Sequence, residues 1–427
     1  MPRLPALLLI AFVGPCVSTY VGPTFRSGTY IGPSFSLGTY AGPSFRSGQP
    51  SVDPGTSTPL FNGTDLAGWH NINCAPGTWS VKGGVIHTTG KPICELRTER
   101  MYENFVLDVE WRHLTAGGNA GVFIWADALP ARGQPFLRAV EVQVLDGRET
   151  ANYTSHGDIF PIHGAKMTPD RPHPAGWDRS LPSEKRAKPA GQWNHYRITA
   201  DRGRITLEVN GKAVSGGYDI SPRKGYVALE SEGAPAEFRN LAIKELPSAG
   251  DLPADQVALA DEGYRSLYSG VDLSGWTEAG GSGHFRASDW QIVAGVPGRS
   301  GRGVLSSTAT FGNLDLIIDW RCGAAQENEK PAPPEVTSDA ALNLSLGSHR
   351  DPRLRFSCRD RIDGQAQGND WNRTRVVRRD GTVQVEINGR ALAAPAPATP
   401  QPAATPLVLE HEGDVMTFAN VFFAERP

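Results

Sequence analysis

The residues best suited to chemistry sit in one short run, VEVQVLDG, and in the irregular stretch that follows it. Side chains alternate across an extended strand, so Glu141 and Gln143 share a face. Asp146 is out of phase with them and joins that face only if a bulge intervenes. A carboxylate so placed can act as a general base, with the amide orienting a sugar beside it. An edge strand with a solvated polar face would read the same way. Next comes NYTSHGDIFPIHGAKMTPDRPHPAGWDRSLPSEKRAKP, residues 152–189, too long and irregular for an idle hairpin turn. It holds His156, Asp158, His163, Lys166, Asp170, His173 and Asp178. Tyr153, Phe160 and Trp177 add flat faces against which a sugar ring could stack. Such a loop on a rigid scaffold is expected to cover a substrate. His156, Asp158 and His163 offer ligands to a divalent cation, although their spacing is no recognised zinc signature; hydrogen bonding that pins the loop is the alternative. In ALESEG, Glu230 and Glu232 share a face, as site residues or as a solvent-facing rim of carboxylates. Arg112 shares a face with Glu110, and ion pairing alone explains both. Arg112 and Trp125 complete the candidate sugar contacts.

These side chains need rigid strands behind them. Period-two alternation dominates the chain. Val106, Asp108, Glu110 and Arg112 fall on one side of a strand, and Leu107, Val109 and Trp111 on the other. The runs 204–209 and 382–387 each lead into Asn-Gly, the pair that closes a two-residue hairpin. No long amphipathic helix is legible. Four blocks recur in the same order: LFNGTDLAGWH with LYSGVDLSGWT, ENFVLDVEWR with GNLDLIIDWR, QWNHYRITADRGRITLEVNGKAV with DWNRTRVVRRDGTVQVEINGRAL, and YVALESEG with PLVLEHEG. This order predicts two copies of an antiparallel β-sandwich, residues 58–247 and 261–427, joined by a linker over 248–260.

Composition agrees with that reading. A chain of 427 residues suffices for two or three domains, and 48 Gly with 34 Pro favour turn-rich β structure over helical bundles. A net charge of -3 supplies no broad positive field for nucleic acid. No apolar run reaches the ~18 residues of a membrane-spanning helix. Arg3 followed by the apolar stretch 4–13 reads as an export signal over residues 1–18, with an uncleaved N-terminus as the alternative. Pro15 before Cys16 fits lipid anchoring poorly. Residues 19–57, with the repeats TYVGPTFRSG, TYIGPSFSLG and TYAGPSFRSG, read as a flexible spacer. A secreted or periplasmic protein is expected, where cysteines can oxidise. Cys74, Cys94, Cys322 and Cys358 permit three pairings, of which pairing within each half is the simplest.

Six segments, LFNGTDLAGW, AGGNAGVFIW, VEVQVLDG, AGQWNHYRI, LEVNGKAV and EFRNLAIKEL, make residues 58–247 resemble the 3-keto-disaccharide hydrolase domain family. The second copy matches only in its first and last blocks, as a degenerate repeat. The resemblance implies an all-β protein of two tandem concanavalin-like jelly-roll sandwiches. It also implies action on glycosides oxidised at carbon 3 of one sugar. The E-x-Q-x-x-D pattern is similar to the E-x-D-x-x-E strand of jelly-roll glucanases, an analogy of fold and not of chemistry. The implied reaction begins with removal of the proton beside the ketone, followed by loss of the aglycone and addition of water. Glu141 or Asp146 is the expected base and Gln143 the orienting residue. His156 and Lys166 are candidates to polarise the ketone or protonate the leaving group. The expected cofactor is none, or a divalent cation. The chain shows no nucleotide-binding glycine motif, so an upstream sugar 3-dehydrogenase is the implied partner. The competing classes are an ordinary two-carboxyl glycosidase, a non-catalytic tandem lectin-like protein and a cell-envelope scaffold.

Aligning LRAVEVQVLDG with LRFSCRDRIDG sets Glu141 against Cys358, Gln143 against Asp360 and Asp146 against Asp363, and the His-rich loop is missing from the second copy. Copy one is therefore expected to do the chemistry, and copy two to be structural or carbohydrate-binding. On this alignment a Cys322–Cys358 bridge would set His113 close to Glu141, against strand parity.

Overall fold

The computed structural model describes residues 56–146, 156–248, 250–279, 283–296, 301–323, 341–345, 354–358, 370–380, 382–392 and 404–427. The signal and spacer expected over 1–57 lie almost wholly outside them, as do Cys16, Tyr153, Asp360 and Asp363.

The first half folds as fifteen strands: β1 (Ser57–Pro59), β2 (Trp69–Ile72), β3 (Trp79–Lys82), β4 (Val85–Thr88), β5 (Cys94–Thr98), β6 (Phe105–His113), β7 (Asn119–Ala126), β8 (Ala139–Leu145), β9 (Ile159–Ile162), β10 (Lys166–Pro169), β11 (Asn194–Asp201), β12 (Arg204–Val209), β13 (Lys212–Ser221), β14 (Tyr226–Ser231) and β15 (Ala236–Glu245). They form two antiparallel sheets. The larger has the order β10-β13-β12-β11-β6-β15-β4-β3, with β1 beside β15; the smaller has the order β2-β5-β14-β7-β8-β9. Alternation explains the layering. Phe105, Leu107, Val109 and Trp111 of β6 are buried, while the residues between them are half-buried on the outer surface. Their inner faces meet Val122, Ile124, Val140, Val142, Val144, Val227 and Leu229 of the smaller sheet. The Asn210-Gly211 turn has positive φ at both residues (49° and 83°), as a two-residue hairpin turn requires.

The second half repeats this arrangement with β16 (Arg265–Ser266), β17 (Trp276–Ala279), β18 (Phe285–Ser288), β19 (Gln291–Ala294), β20 (Gly301–Phe311), β21 (Leu314–Cys322), β22 (Ala341–Ser345), β23 (Leu354–Ser357), β24 (Asn372–Arg379), β25 (Thr382–Ile387), β26 (Arg390–Ala391), β27 (Thr405–Gly413) and β28 (Met416–Glu425). Its sheets have the orders β18-β19-β28-β21-β24-β25-β26, with β16 beside β28, and β17-β20-β27-β22-β23. Strand for strand this is the order of the first half, with no counterparts of β9 and β10 among the described residues. The fold is all-β, two concanavalin-like jelly-roll sandwiches, with one 3-10 turn at Ala254–Gln256 between them. Cys74 is disulfide-bonded to Cys94, and Cys322 to Cys358.

Strand registers correct the sequence alignment of the two halves. Leu229 pairs with Val122 and Gly121 with Gln143 in the first half; Glu410 pairs with Asn343 and Asn343 with Arg355 in the second. Glu230 and Glu410 occupy the same place in YVALESEG and PLVLEHEG. Arg355 is therefore the counterpart of Gln143, and Cys358 that of Asp146, five residues from where sequence matching set it. The Cys322–Cys358 bridge replaces His113 and Asp146, not His113 and Glu141, so strand parity is satisfied without a bulge.

The halves dock through the outer face of the smaller sheet. Phe123, Ala139, Tyr226 and Ala228 pack with Tyr264, Ile317, Phe422 and Ala424. Polar locks surround this patch. Asp319, fully buried, takes a bidentate pair from Arg373 (2.7 and 2.8 Å) and a hydrogen bond from Gly133 N (2.8 Å). Asn420 donates to Ala131 O and Gln134 O and accepts from Asn73 Nδ2. Arg97 pairs with Asp261 at 2.7 Å.

Candidate active site

The half of the smaller sheet's outer face that the apolar patch leaves free is acidic. Glu95 of β5 stands directly opposite Glu230 of β14. Beyond β14, β7 contributes Asn119 and Gly121, and β8 contributes Glu141 and Gln143. Glu232 follows at the end of β14, where Asn119 Nδ2 donates to its carboxylate. Asn119 Oδ1 in turn accepts from Gln143 Nε2 at 2.5 Å. Gly121 is a notch in this row. A methyl group there would lie 2.9 Å from Glu141 Oε1 and 3.0 Å from Glu230 Oε2. Only glycine leaves these two carboxyls facing one another across open space.

Like charges directly opposite one another destabilise a sheet, so the cluster needs a chemical reason. Glu95, Glu141 and Glu230 are 0%, 6% and 1% exposed. Burial, then the charges of Glu232, Glu141 and Glu95, raises Glu230 well above the usual carboxylate range. Burial and then Glu232 raise Glu141 likewise, opposed by Arg179. Burial raises Glu95 too, although the Leu137 amide donates to its Oε1 at 3.1 Å. Arg179 is the cation of the site. It pairs with buried Asp158 at 2.8 Å and lies 4.0 Å over the ring of Phe160, which sits directly across from Glu141 on β9. The arrangement can hold one carboxyl ionised beside another that is protonated, with a guanidinium near both the base and an aromatic face.

The expected site residues divide sharply. Glu141, Gln143, Glu230, Glu232 and Phe160 come together. Neither bland reading of the carboxylates holds: β8 runs between β7 and β9, buried on both faces, and Glu230 is no solvent rim. Asp146 keeps strict parity and lies on the core side of β8. It accepts Gly117 N at 3.0 Å, and His156 Nε2 lies 3.8 Å from its Oδ1. His156 stacks on core Trp111 at 5.2 Å, and His113 Nε2 donates to Val144 O at 2.8 Å. Burial, then His113, lowers the His156 pKa to about 4. Asp146 and His156 thus form a second cluster across β8 from Glu141. The expected cation ligands are dispersed: His156 faces Trp111, Asp158 faces Arg179 and His163 stacks on Phe136. Among the described residues no three His, Cys, Asp or Glu side chains are grouped to hold a metal ion.

Three further expectations are corrected by burial or distance. Lys166 is exposed on β10, at the edge of the other sheet. Arg112 lies on the outer face of that sheet, pairing with Glu237 at 2.5 Å and lying 4.6 Å over Trp193; two sheets stacked ~10 Å apart separate it from Glu141. Trp125 is fully buried in the core and donates Nε1–H to Glu103 O at 2.7 Å. Trp177 is half-buried and stacks on His173 at 4.4 Å. Sequence reasoning missed Glu95, Asn119, Gly121 and Arg179. Glu95 and Arg97 alternate in CELRT, and Arg179 is the cation nearest Trp177 in the loop, but their meeting point is set by packing.

Residues 56–244 match the family model of the 3-keto-alpha-glucoside-1,2-lyase-like domain. No curated protein matches the chain. Among solved structures, a candidate glycosyl hydrolase from Parabacteroides distasonis ATCC 8503 is 21% identical, over 45% of this chain and 94% of that one, with a TM-score of 0.36. The carbohydrate-binding module CBM66 from Bacillus subtilis is 13% identical over 42% and 96%, with a TM-score of 0.30. The β-glucanase of Bacillus licheniformis is 13% identical over 46% and 100%, with a TM-score of 0.29.

Proposed function

We propose that residues 56–244, which match the model of the 3-keto-alpha-glucoside-1,2-lyase-like domain, use their acidic face to cleave the glycosidic bond of 3-keto-glycosides, starting at the carbon beside the ketone. The observation that carries this reading is Glu141, a buried carboxyl whose pKa is raised by burial and by Glu232 while Arg179 favours its ionised form. A base whose pKa is raised suits a proton acidified by a ketone.

Glu141 takes the proton from carbon 2, and the C–H electron pair moves into an enolate whose oxygen is stabilised by Arg179. The enolate collapses and expels the aglycone from carbon 1. The leaving oxygen takes a proton from a neutral carboxyl, for which Glu230 is placed across the Gly121 notch. The product is an enone, and adding water across its double bond gives the free 3-keto sugar. Gln143, held by Asn119, orients the ring, and Phe160 supplies its flat face. No step requires a metal ion. The ketone is made by a separate sugar dehydrogenase, and the two disulfides suit export to an oxidising compartment.

Purified protein incubated with a 3-keto-disaccharide and with its parent tests the reading. Release of sugar from the ketone alone is expected, and Glu141→Gln should lower kcat by ~10²–10⁴-fold without unfolding the protein. Release from the parent disaccharide would point to a conventional glycosidase. Binding of both without turnover would leave a lectin.

A further inference from the structure

In the second sandwich, the turn between β18 and β19 and the residue just before β24 bring two tryptophans together beside an arginine of β21, none of which the proposed reaction uses. The rings of Trp290 and Trp371 lie 5.9 Å apart at 39°, and the Arg321 guanidinium lies 4.9 Å over Trp371. Their anchors on the first sandwich place them at the acidic face. Asp289, next to Trp290, accepts the amide of Ile93, two residues before Glu95. Trp371 packs on the backbone of Gly133, where a methyl group would lie 1.9 Å from its Cγ. The loop that holds Gly133 continues to Leu137, whose amide donates to Glu95 Oε1. The tryptophan pair therefore touches the two segments that adjoin Glu95, at the edge of the acidic face. Trp371 is 8% exposed and clamped, whereas Trp290 is only half-buried.

We propose that Trp290 is a stacking platform for the second ring of a disaccharide substrate, so that the second sandwich supplies a binding subsite to the first. The inference rests on the acidic face being where the sugar binds. A large, flat ring held rigid by neighbours loses little freedom when a sugar settles on it. Trp371 and Arg321 act through Trp290, as positioning residues. Bonds are broken only on the first sandwich, and the second selects what is attached to the departing oxygen.

Trp290→Ala and Trp290→Phe test this with three probes: a 3-keto-disaccharide, the matching 3-keto methyl glycoside, which lacks a second ring, and the parent disaccharide. Trp290→Ala should raise KM for the 3-keto-disaccharide about fivefold to tenfold with kcat unchanged, leave the methyl glycoside unaffected, and melt at the wild-type temperature. Trp290→Phe should recover most of the loss. Equal effects on both keto substrates, or none on either, would overturn the proposal. Calorimetric titration with the parent disaccharide separates it from the catalytic reading. Wild-type binding that weakens in Trp290→Ala supports the subsite even if nothing turns over. Binding that is unchanged in the variant, or absent in wild type, ends it.

Discussion

Glu95, Glu141 and Glu230 are buried together, and each has its pKa raised by that burial. A carboxyl with a higher pKa folded than unfolded contributes stability at low pH, and that contribution is lost as pH rises through the folded value. From the ordinary value of 4.5 upward, these groups therefore make the protein less stable as pH rises. Glu230→Gln should raise stability near pH 7.5 by about 1–3 kcal/mol, since the buried carboxyl must hold a proton that the unfolded chain has already released, and the amide need not. It should also reduce the stability gained on acidification to pH 5.5. His156 works in the opposite sense. Its pKa is lowered to about 4, so the unfolded chain binds that proton first and stability falls as pH drops below 6.5. Calorimetric melts of wild type and Glu230→Gln, compared at each pH, cancel the histidine. Parallel curves would show that Glu230 is not protonated in the fold.

At the scale of elements, the site is a row across β5, β14, β7 and β8 with a gap at β7. Gly121→Ala fills that gap. Its methyl group would meet Glu141 Oε1 at 2.9 Å, Glu230 Oε2 at 3.0 Å and Glu141 Cγ at 3.1 Å. The carboxyl ends can swing aside but the Glu141 Cγ must shift with them, so the expected cost is about 1 kcal/mol of stability. Turnover should fall at least about tenfold, because Glu141 is pushed from its reactive position. A variant with wild-type kcat/KM would place the reacting carbon elsewhere on the sheet. The same strands show how far local pattern reaches. Glu141, Gln143 and Phe160 share a face because side chains alternate, and the Asn210-Gly211 hairpin forms because its φ values suit that pair. Asp146 fails to join them for the same reason, since β8 keeps its phase. His156 was legible as a reactive side chain, but not its stacking on Trp111, which depends on a strand 45 positions earlier in the chain.

At the scale of the molecule, the two sandwiches meet through a contact that is part apolar and part buried charge. Gly133→Ala strikes this joint twice. Its φ of 67° disfavours any side chain, and the added methyl group would overlap Trp371. The variant should lose the single cooperative transition expected of docked halves and melt in two steps, seen by differential scanning calorimetry. A single wild-type transition would mean that the Asp319 network alone holds the halves together. The asymmetry between them is also molecular in scale. Where the first half has Glu95 and Gln143 beside Glu230, the second has Val304 and Arg355 beside Glu410, and Arg355 pairs with Glu412 at 2.7 Å. One face concentrates negative charge and the other neutralises it.

Sequence alone was enough for whatever depends on neighbours in the chain: the alternation of the strands, the Asn-Gly turns, the repeat of four blocks, and the shared face of Glu141 with Gln143. Pairing across the sheets decided the rest. Glu95 and Arg179 reach Glu141 from distant segments, Cys358 takes the place of Asp146 only once the registers are known, and Trp290 arrives from the other sandwich. A periodic pattern records which way a side chain points, but not what the folded chain brings to meet it.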